Sequence, residues 1–249
     1  NLYDLMSDGE GNMKEGWSFD NLHPKVPGYR AWCQTLLPYL DEGSNVKHTC
    51  AYGEGLPDIH GNQFNSWGAR LGTLAMLPIE ADDTVFIGDE MIHSGEWHEL
   101  LDSPHAKNRG TGWGYPGADI GLLMTEIPHF FHAHPKSVCP RNIVLYAGAQ
   151  EVENGMELKA FEAKYRALVA LLHEQAPTAQ IRILSVLRNE DEAKDKQFTQ
   201  AYNEVLRRIA KKDKLVSFVD IYTPLLAPEM MMGNYVSGQG SLKIAELLK

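Results

Sequence analysis

Thr84-Val85-Phe86-Ile87-Gly88-Asp89-Glu90 is the stretch on which the reading of this chain turns. A β-branched and aromatic run follows the turn-like Ala81-Asp82-Asp83 and stops at Gly88, and Ile92 to Leu101 reads as the start of a helix. The pattern predicts a buried strand that delivers the Asp89 carboxylate to the carboxyl edge of a sheet. In an open α/β fold, that edge is where ligands bind.

Downstream of this stretch, strand and helix signals alternate. Strands are expected at Ala106 to Gly110, Asn142 to Gly148, Gln180 to Leu187 and Leu215 to Ile221, with helices near Ala118 to Phe131, Met156 to Gln175, Asp195 to Lys212 and Ser241 to Leu248. Apolar strands separated by long helical runs imply right-handed crossovers and a parallel sheet covered on both faces. The expected fold class is therefore α/β, a flavodoxin-like three-layer sandwich with a parallel sheet of about five strands.

Upstream, Leu2 to Leu5 reads as a strand end, Asp8 to Gly16 as a glycine-rich connection, and Gly28 to Leu40 as a helix. Between them, Asp20 precedes His23 by three residues in a Pro-flanked loop, an arrangement that can orient an imidazole. Ser44 to Gly61 has no clear period and reads as a linker, and Asn62 to Leu77 as a helix with Phe64, Trp67, Leu71 and Leu74 on one side. The chain also echoes itself. Leu2-Tyr3-Asp4-Leu5 parallels Phe218-Val219-Asp220-Ile221, and each is followed by a Met-containing loop, a glycine (Gly28, Gly240) and a helix. Counting back five and eight residues from the glycine gives His23 and Asp20 in the first copy but Tyr235 and Met232 in the second.

The 249 residues are 43 % hydrophobic, enough for one sizeable core, and carry a formal net charge of -10 with scattered lysines and arginines. That balance argues against nucleic acid or an anionic membrane surface as partner. No apolar run reaches the roughly 18 residues needed to span a bilayer. Cys33, Cys50 and Cys139 are odd in number and far apart, so they indicate neither a disulfide framework nor a zinc motif. His93, Glu96 and His98, and likewise His129, His132 and His134, match no metal spacing and read as caps or solvated groups, so no metal is expected. Gly110 to Gly117 lacks the Lys-Ser or Lys-Thr ending of a phosphate cradle, and no cofactor is expected. Met230-Met231-Met232 reads as an apolar plug.

Several segments together carry a resemblance: Val85-Phe86-Ile87-Gly88-Asp89, Gly95-Glu96-Trp97-His98-Glu99-Leu100, Lys107-Asn108-Arg109-Gly110, Ile143 to Gly148 and Ser185-Val186-Leu187. In this order they resemble the SGNH (GDSL-type) hydrolases, in particular the platelet-activating-factor acetylhydrolase-like esterases. Phe19-Asp20-Asn21-Leu22-His23-Pro24 with Gly28-Tyr29-Arg30-Ala31-Trp32 resembles the same family's last block. The resemblance implies a tail segment of one such domain at 1–43, a linker at 44–61 and a second domain at 62–249. It further implies an upstream sister domain as partner, a carbohydrate or acyl-ester ligand, and an extracytoplasmic location.

The family's chemistry uses a serine nucleophile, a histidine base oriented by an aspartate, and an oxyanion hole. In the second domain each expected position departs from that set. Glu90 stands for the serine, Trp113 falls at the oxyanion glycine with Gly112 and Gly114 beside it, and Gln150, next to Glu151, stands for the asparagine. The segment from Asn234 to Gly240 holds neither the aspartate nor the histidine. A carboxylate at 90 would repel a developing oxyanion, and an amide displaced by about 1 Å costs on the order of 100-fold in rate. The expectation is a homologue without ordinary serine-esterase chemistry that serves as a binding or scaffolding domain. The alternative is an active hydrolase in which Asp20 and His23 complete the site around Glu90, with Asp89, Gly112, Trp113, Gly114, Gln150 and Glu151 as binding residues.

Overall fold

The computed structural model describes residues 1–18, 26–42, 66–111, 117–132 and 134–249, and the chain divides into two units, Asn1–Met76 and Leu77–Lys249. Among the described residues, the first unit holds three helices, α1 (Leu2–Met6), α2 (Val26–Asp41) and α3 (Ser66–Met76). The strand expected at Leu2 to Leu5 is thus corrected to helix. Asn1 explains it: its side-chain oxygen accepts the Tyr3 N–H at 3.0 Å and its amide donates to Asp4 at 2.8 Å. An asparagine in that place satisfies an amide that a first helical turn would leave open. The echo with Phe218 to Ile221 therefore holds in sequence but not in backbone.

The second unit opens with β1 (Thr84–Gly88), α4 (Glu90–His93), α5 (Trp97–Leu100), β2 (Ala106–Gly110) and α6 (Ile120–His132). It continues through β3 (Asn142–Tyr146), α7 (Ala149–Glu153), α8 (Leu158–Gln175), β4 (Gln180–Leu184), α9 (Glu192–Lys194), α10 (Gln200–Lys211) and β5 (Val216–Val219). A short hairpin, β6 (Met231–Met232) with β7 (Tyr235–Val236), precedes the closing helix α11 (Gly238–Leu248). All five long strands are parallel, in the order β2-β1-β3-β4-β5. Thr84 to Gly88 lies in register with Ala106 to Gly110 on one side and Asn142 to Tyr146 on the other. The chain reverses its direction of travel across the sheet between β1 and β3, which makes their carboxyl ends the topological switch point.

Alternation along the strands covers both faces. Phe86, Val144, Tyr146 and Leu184 pack with Ile92, Trp97, Ile221, Ile244 and Leu248, so α5 and α11 close one side. Trp97 stacks on Phe86 with ring centroids 4.9 Å apart. The intervening residues Val85, Ile87, Ile143, Leu145, Ile181 and Ile183 are also fully buried, on the side of α8 and its neighbours α6 and α10. This is the three-layer flavodoxin-like sandwich expected from the sequence. Among the described residues, no helix is long and apolar enough to cross a membrane.

The single helix expected from Ile92 to Leu101 is two, α4 and α5, and Asn108 on β2 is the reason. Its side-chain amide donates to the carbonyls of Ile92 (2.9 Å), His93 (3.2 Å) and Gly95 (2.8 Å), and its oxygen accepts the Gly110 N–H at 2.8 Å. Carbonyls held this way are unavailable to a continuing helix. The Trp97 indole seals the break by donating to Ile92 O at 2.8 Å and filling the space that a side chain at Gly95 would need.

Candidate functional site

The site forms where β1 and β3 end. Asp89 leaves β1 as the N-cap of α4, its Oδ1 accepting the Met91 N–H at 3.0 Å. Gly88 makes this close approach possible, because a Cβ there would meet the Tyr146 carbonyl and the Ile92 side chain. Thr111 fixes the same corner, donating its N–H (2.7 Å) and its hydroxyl (3.0 Å) to Gly88 O. Glu90 is the first residue of α4 and is half-buried. Gly117, at φ +84°, lies against it, and a Cβ on Gly117 would stand 2.8 Å from the Glu90 nitrogen.

Asp89 and Glu90 line a pocket of about 270 Å³ together with Tyr146 from the end of β3 and Leu187 beyond β4. The β6–β7 hairpin closes it with Met232, Asn234 and Tyr235. This hairpin is built by local chemistry. Gly233 takes φ +67° at the turn, and Asn234 Oδ1 accepts the Glu190 N–H at 3.0 Å. Ser237 then caps α11, its Oγ accepting the Gly240 N–H at 3.1 Å and donating to Glu229 O at 2.6 Å. The segment in which the resemblance seeks an aspartate and a histidine is therefore the end of a hairpin and a helix cap. Within the expected plug, Met231 is buried in the core, whereas Met232 is exposed and faces the pocket.

Two serines line the pocket, and both hydroxyls are engaged along their own helices. Ser94 donates to Glu90 O at 2.8 Å and Ser241 to Ser237 O at 3.1 Å. No histidine is among the pocket's described lining residues. Among the described residues neither serine is therefore paired with a base, which is what an activated hydroxyl nucleophile needs.

Of the residues singled out from the sequence, Asp89 and Glu90 are brought together. Gln150, in α7, donates its amide to Asn154 Oδ1 at 3.1 Å and is not part of the pocket lining. Glu151 is fully buried, and its Oε1 accepts the Ile120 N–H at 2.9 Å, capping α6 from across the sheet edge. Asp20, His23, Gly112, Trp113 and Gly114 lie outside the described residues. Sequence reasoning missed Tyr146, Leu187, Asn234 and Tyr235. The signals were there: Tyr146 sits near the end of an expected strand, and Gly233-Asn234 between two short apolar pairs is a hairpin turn.

The charges acting on Asp89 are acids, Glu151 and Glu90, while Lys164 on α8 acts on Glu151 in the opposite sense. Asp89 is 1 % exposed, and its Oδ2 has no hydrogen-bond partner among the described residues. Burial pushes its carboxyl well above the usual range, the Met91 N–H opposes this, and the charges of Glu151 and Glu90 push further upward. Burial also raises Glu151, whose Oε2 has no partner among the described residues, and raises Tyr165, whose hydroxyl likewise has none. The arrangement favours a protonated, uncharged carboxyl at Asp89. Elsewhere among the described residues, Glu80, Asp83 and His105 each place a ligand atom within 4.8 Å of the others, but Lys107 Nζ already lies 3.6 Å from Asp83 Oδ1.

No family model matches the sequence, and no curated protein sequence matches it. Solved structures do. A candidate platelet activating factor from Streptococcus pneumoniae superposes with a TM-score of 0.62 at 21 % identity, covering 72 % of this chain and 87 % of that one. A GDSL-like lipase from Bacteroides thetaiotaomicron gives 0.55 at 16 % identity, covering 74 % and 95 %. A member of the lipolytic G-D-S-L family from Veillonella parvula gives 0.54 at 15 % identity, covering 66 % and 94 %. The chain has the fold of the SGNH (GDSL-type) hydrolases, as its motifs implied.

Proposed function

We propose that the second unit keeps the hydrolase fold but no longer hydrolyses esters, and that it serves as a binding domain whose ligand enters the pocket at the carboxyl edge of β1. The observation that carries this reading is the state of the pocket's hydroxyls: Ser94 and Ser241 donate to carbonyls of their own helices, while the nucleophile position holds Glu90. A carboxylate attacking an ester would yield an anhydride, and its charge opposes the oxyanion that must form. Gln150, engaged with Asn154, supports the same reading, because an oxyanion donor must be aimed at the oxygen on which the charge develops.

The test is p-nitrophenyl acetate turnover by the purified chain, beside Glu90→Ser and His23→Ala variants. The expected result is no enzyme-dependent turnover from the wild type or the His23→Ala variant, and none restored by Glu90→Ser, since a serine without a base is not activated. Wild-type turnover that disappears on losing His23 would overturn the proposal in favour of a site completed by Asp20 and His23.

A further inference from the structure

The β6–β7 hairpin that closes the pocket is held differently at its base and at its tip. The base is clamped: Met231 is buried in the core, the Ser237 N–H donates to Met230 O at 2.9 Å, and Gly240 packs so closely that a Cβ there would strike the same Met230 carbonyl. The tip, Met232 to Tyr235, is carried outside the core. Met232 is 67 % and Tyr235 47 % exposed, although both line the pocket, whereas Tyr146 and Leu187 on its floor are almost fully buried. A ribbon of two residue pairs is not stable by itself, so the place of the tip depends on what it is tied to. It is tied at the turn: Asn234 Oδ1 accepts the Glu190 N–H at 3.0 Å, and the Glu190 side chain lies against Gly233, where a Cβ would stand 2.8 Å from Oε1. That hydrogen bond is solvent-exposed, the class of contact that opens at low cost.

We infer that Met232 to Tyr235 is a latched lid over the pocket, with the Asn234–Glu190 hydrogen bond as its latch and the clamp of Met230, Ser237 and Gly240 as its hinge. The inference concerns entry to the pocket and goes beyond the function proposed above, since it stands whether or not an ester is hydrolysed there. Gly233, at φ +67°, has access to backbone conformations closed to other residues, so the turn can swing without strain. Met232 is an unbranched, adaptable side chain that reseats over the cavity without a fixed polar register. Asn234 lines the pocket and holds the latch with the same carboxamide, so a ligand that donates to its oxygen competes with the Glu190 N–H and couples entry to opening.

Leu187→Cys places a thiol on the pocket floor of the full chain, and its alkylation by N-ethylmaleimide, followed by peptide mass spectrometry, reads how often the lid is open. Cys139, which precedes β3 at the opposite edge of the sheet, is the internal reference. Releasing the latch with Asn234→Ala is expected to speed alkylation at position 187 about fivefold, and Gly233→Ala, which drives a methyl against Glu190, should act in the same direction. Cys139 should keep its rate in both, and circular dichroism of each variant establishes that it is folded. An unchanged rate at 187 in both variants would overturn the latch, and an equal acceleration at Cys139 would overturn it too, by showing that the whole unit had loosened. In Leu187→Cys alone, a thiol that already reacts as fast as a free one would mean an open pocket and end the lid. Hydrogen exchange gives a check that needs no new thiol: Asn234→Ala should speed exchange across 232–236 and leave the β3 amides unchanged, and equal protection of 232–236 with and without the substitution would sink the proposal.

Discussion

The two ends of β1 each bury an aspartate, and the two are treated in opposite ways. At the amino end, Asp83 is fully buried and both its oxygens are met: Oδ2 accepts the Glu80 N–H at 2.7 Å, and Oδ1 faces His105 Nδ1 at 3.2 Å and Lys107 Nζ at 3.6 Å. Its carbonyl also accepts the N–H groups of Arg141 and Asn142, tying β1 to the start of β3. At the carboxyl end, Asp89 is equally buried, but one oxygen has no partner among the described residues and its charged neighbours are acids. The contrast separates a carboxylate that holds the sheet together from one the fold tolerates at a cost, and such tolerated groups concentrate where ligands are handled.

Replacing each residue should break the symmetry in a measurable order. Asp83→Ala removes the acceptor for the Glu80 amide and leaves Lys107 and His105 without their anion, so it should lower unfolding stability by about 3 kcal/mol in urea titrations. Gly117→Ala combines a left-handed backbone with a contact against the Glu90 nitrogen and should cost about 2 kcal/mol in the same titrations. Asp89→Asn should do the reverse. It keeps the cap and removes a desolvated acid, so its effect at neutral pH is a gain of about 1 kcal/mol.

The pH dependence sharpens the comparison. Asp89 and Glu151 have folded-state values raised above their unfolded ones, so the folded protein holds protons that the unfolded chain releases. Stability from these groups is complete below the ordinary carboxylate range and is lost as pH rises from there through the raised values. The stability gap between Asp89→Asn and the wild type should therefore widen in favour of the variant from about pH 4 upward, measured by thermal unfolding across buffers.

The sheet was legible because its strands are short apolar runs bounded by turns and joined by helices of ordinary length. Ile143-Val144-Leu145-Tyr146 and Ile181-Arg182-Ile183-Leu184 needed no tertiary information to be placed. The candidate site was legible only at Asp89 and Glu90, which follow directly from the end of β1. What was not legible depends on partners distant in sequence. Glu151 reads as a neighbour of the oxyanion position, yet it is spent capping α6, a role set by the approach of α7 to the start of α6, 31 residues away in sequence. The break between α4 and α5 has its cause on β2, in Asn108, and no periodicity within Ile92 to Leu101 announces it. Leu2 to Leu5 misled because four residues, with Leu2, Tyr3 and Leu5 apolar around Asp4, fit either period, and only the capping geometry of Asn1 decides between them.

Asn108 also has a consequence for reading other sequences. One side chain gives its amide to three carbonyls and takes an N–H with its oxygen, a set that aspartate lacks the donors for and glutamine would overreach by a methylene. The position therefore works as a marker: a chain aligned to this one that keeps an asparagine there should carry the divided helix beside its pocket. One that replaces it should be expected to run the helix straight through and present a differently shaped rim. A single letter, remote from the pocket in sequence, thus forecasts the outline of its wall.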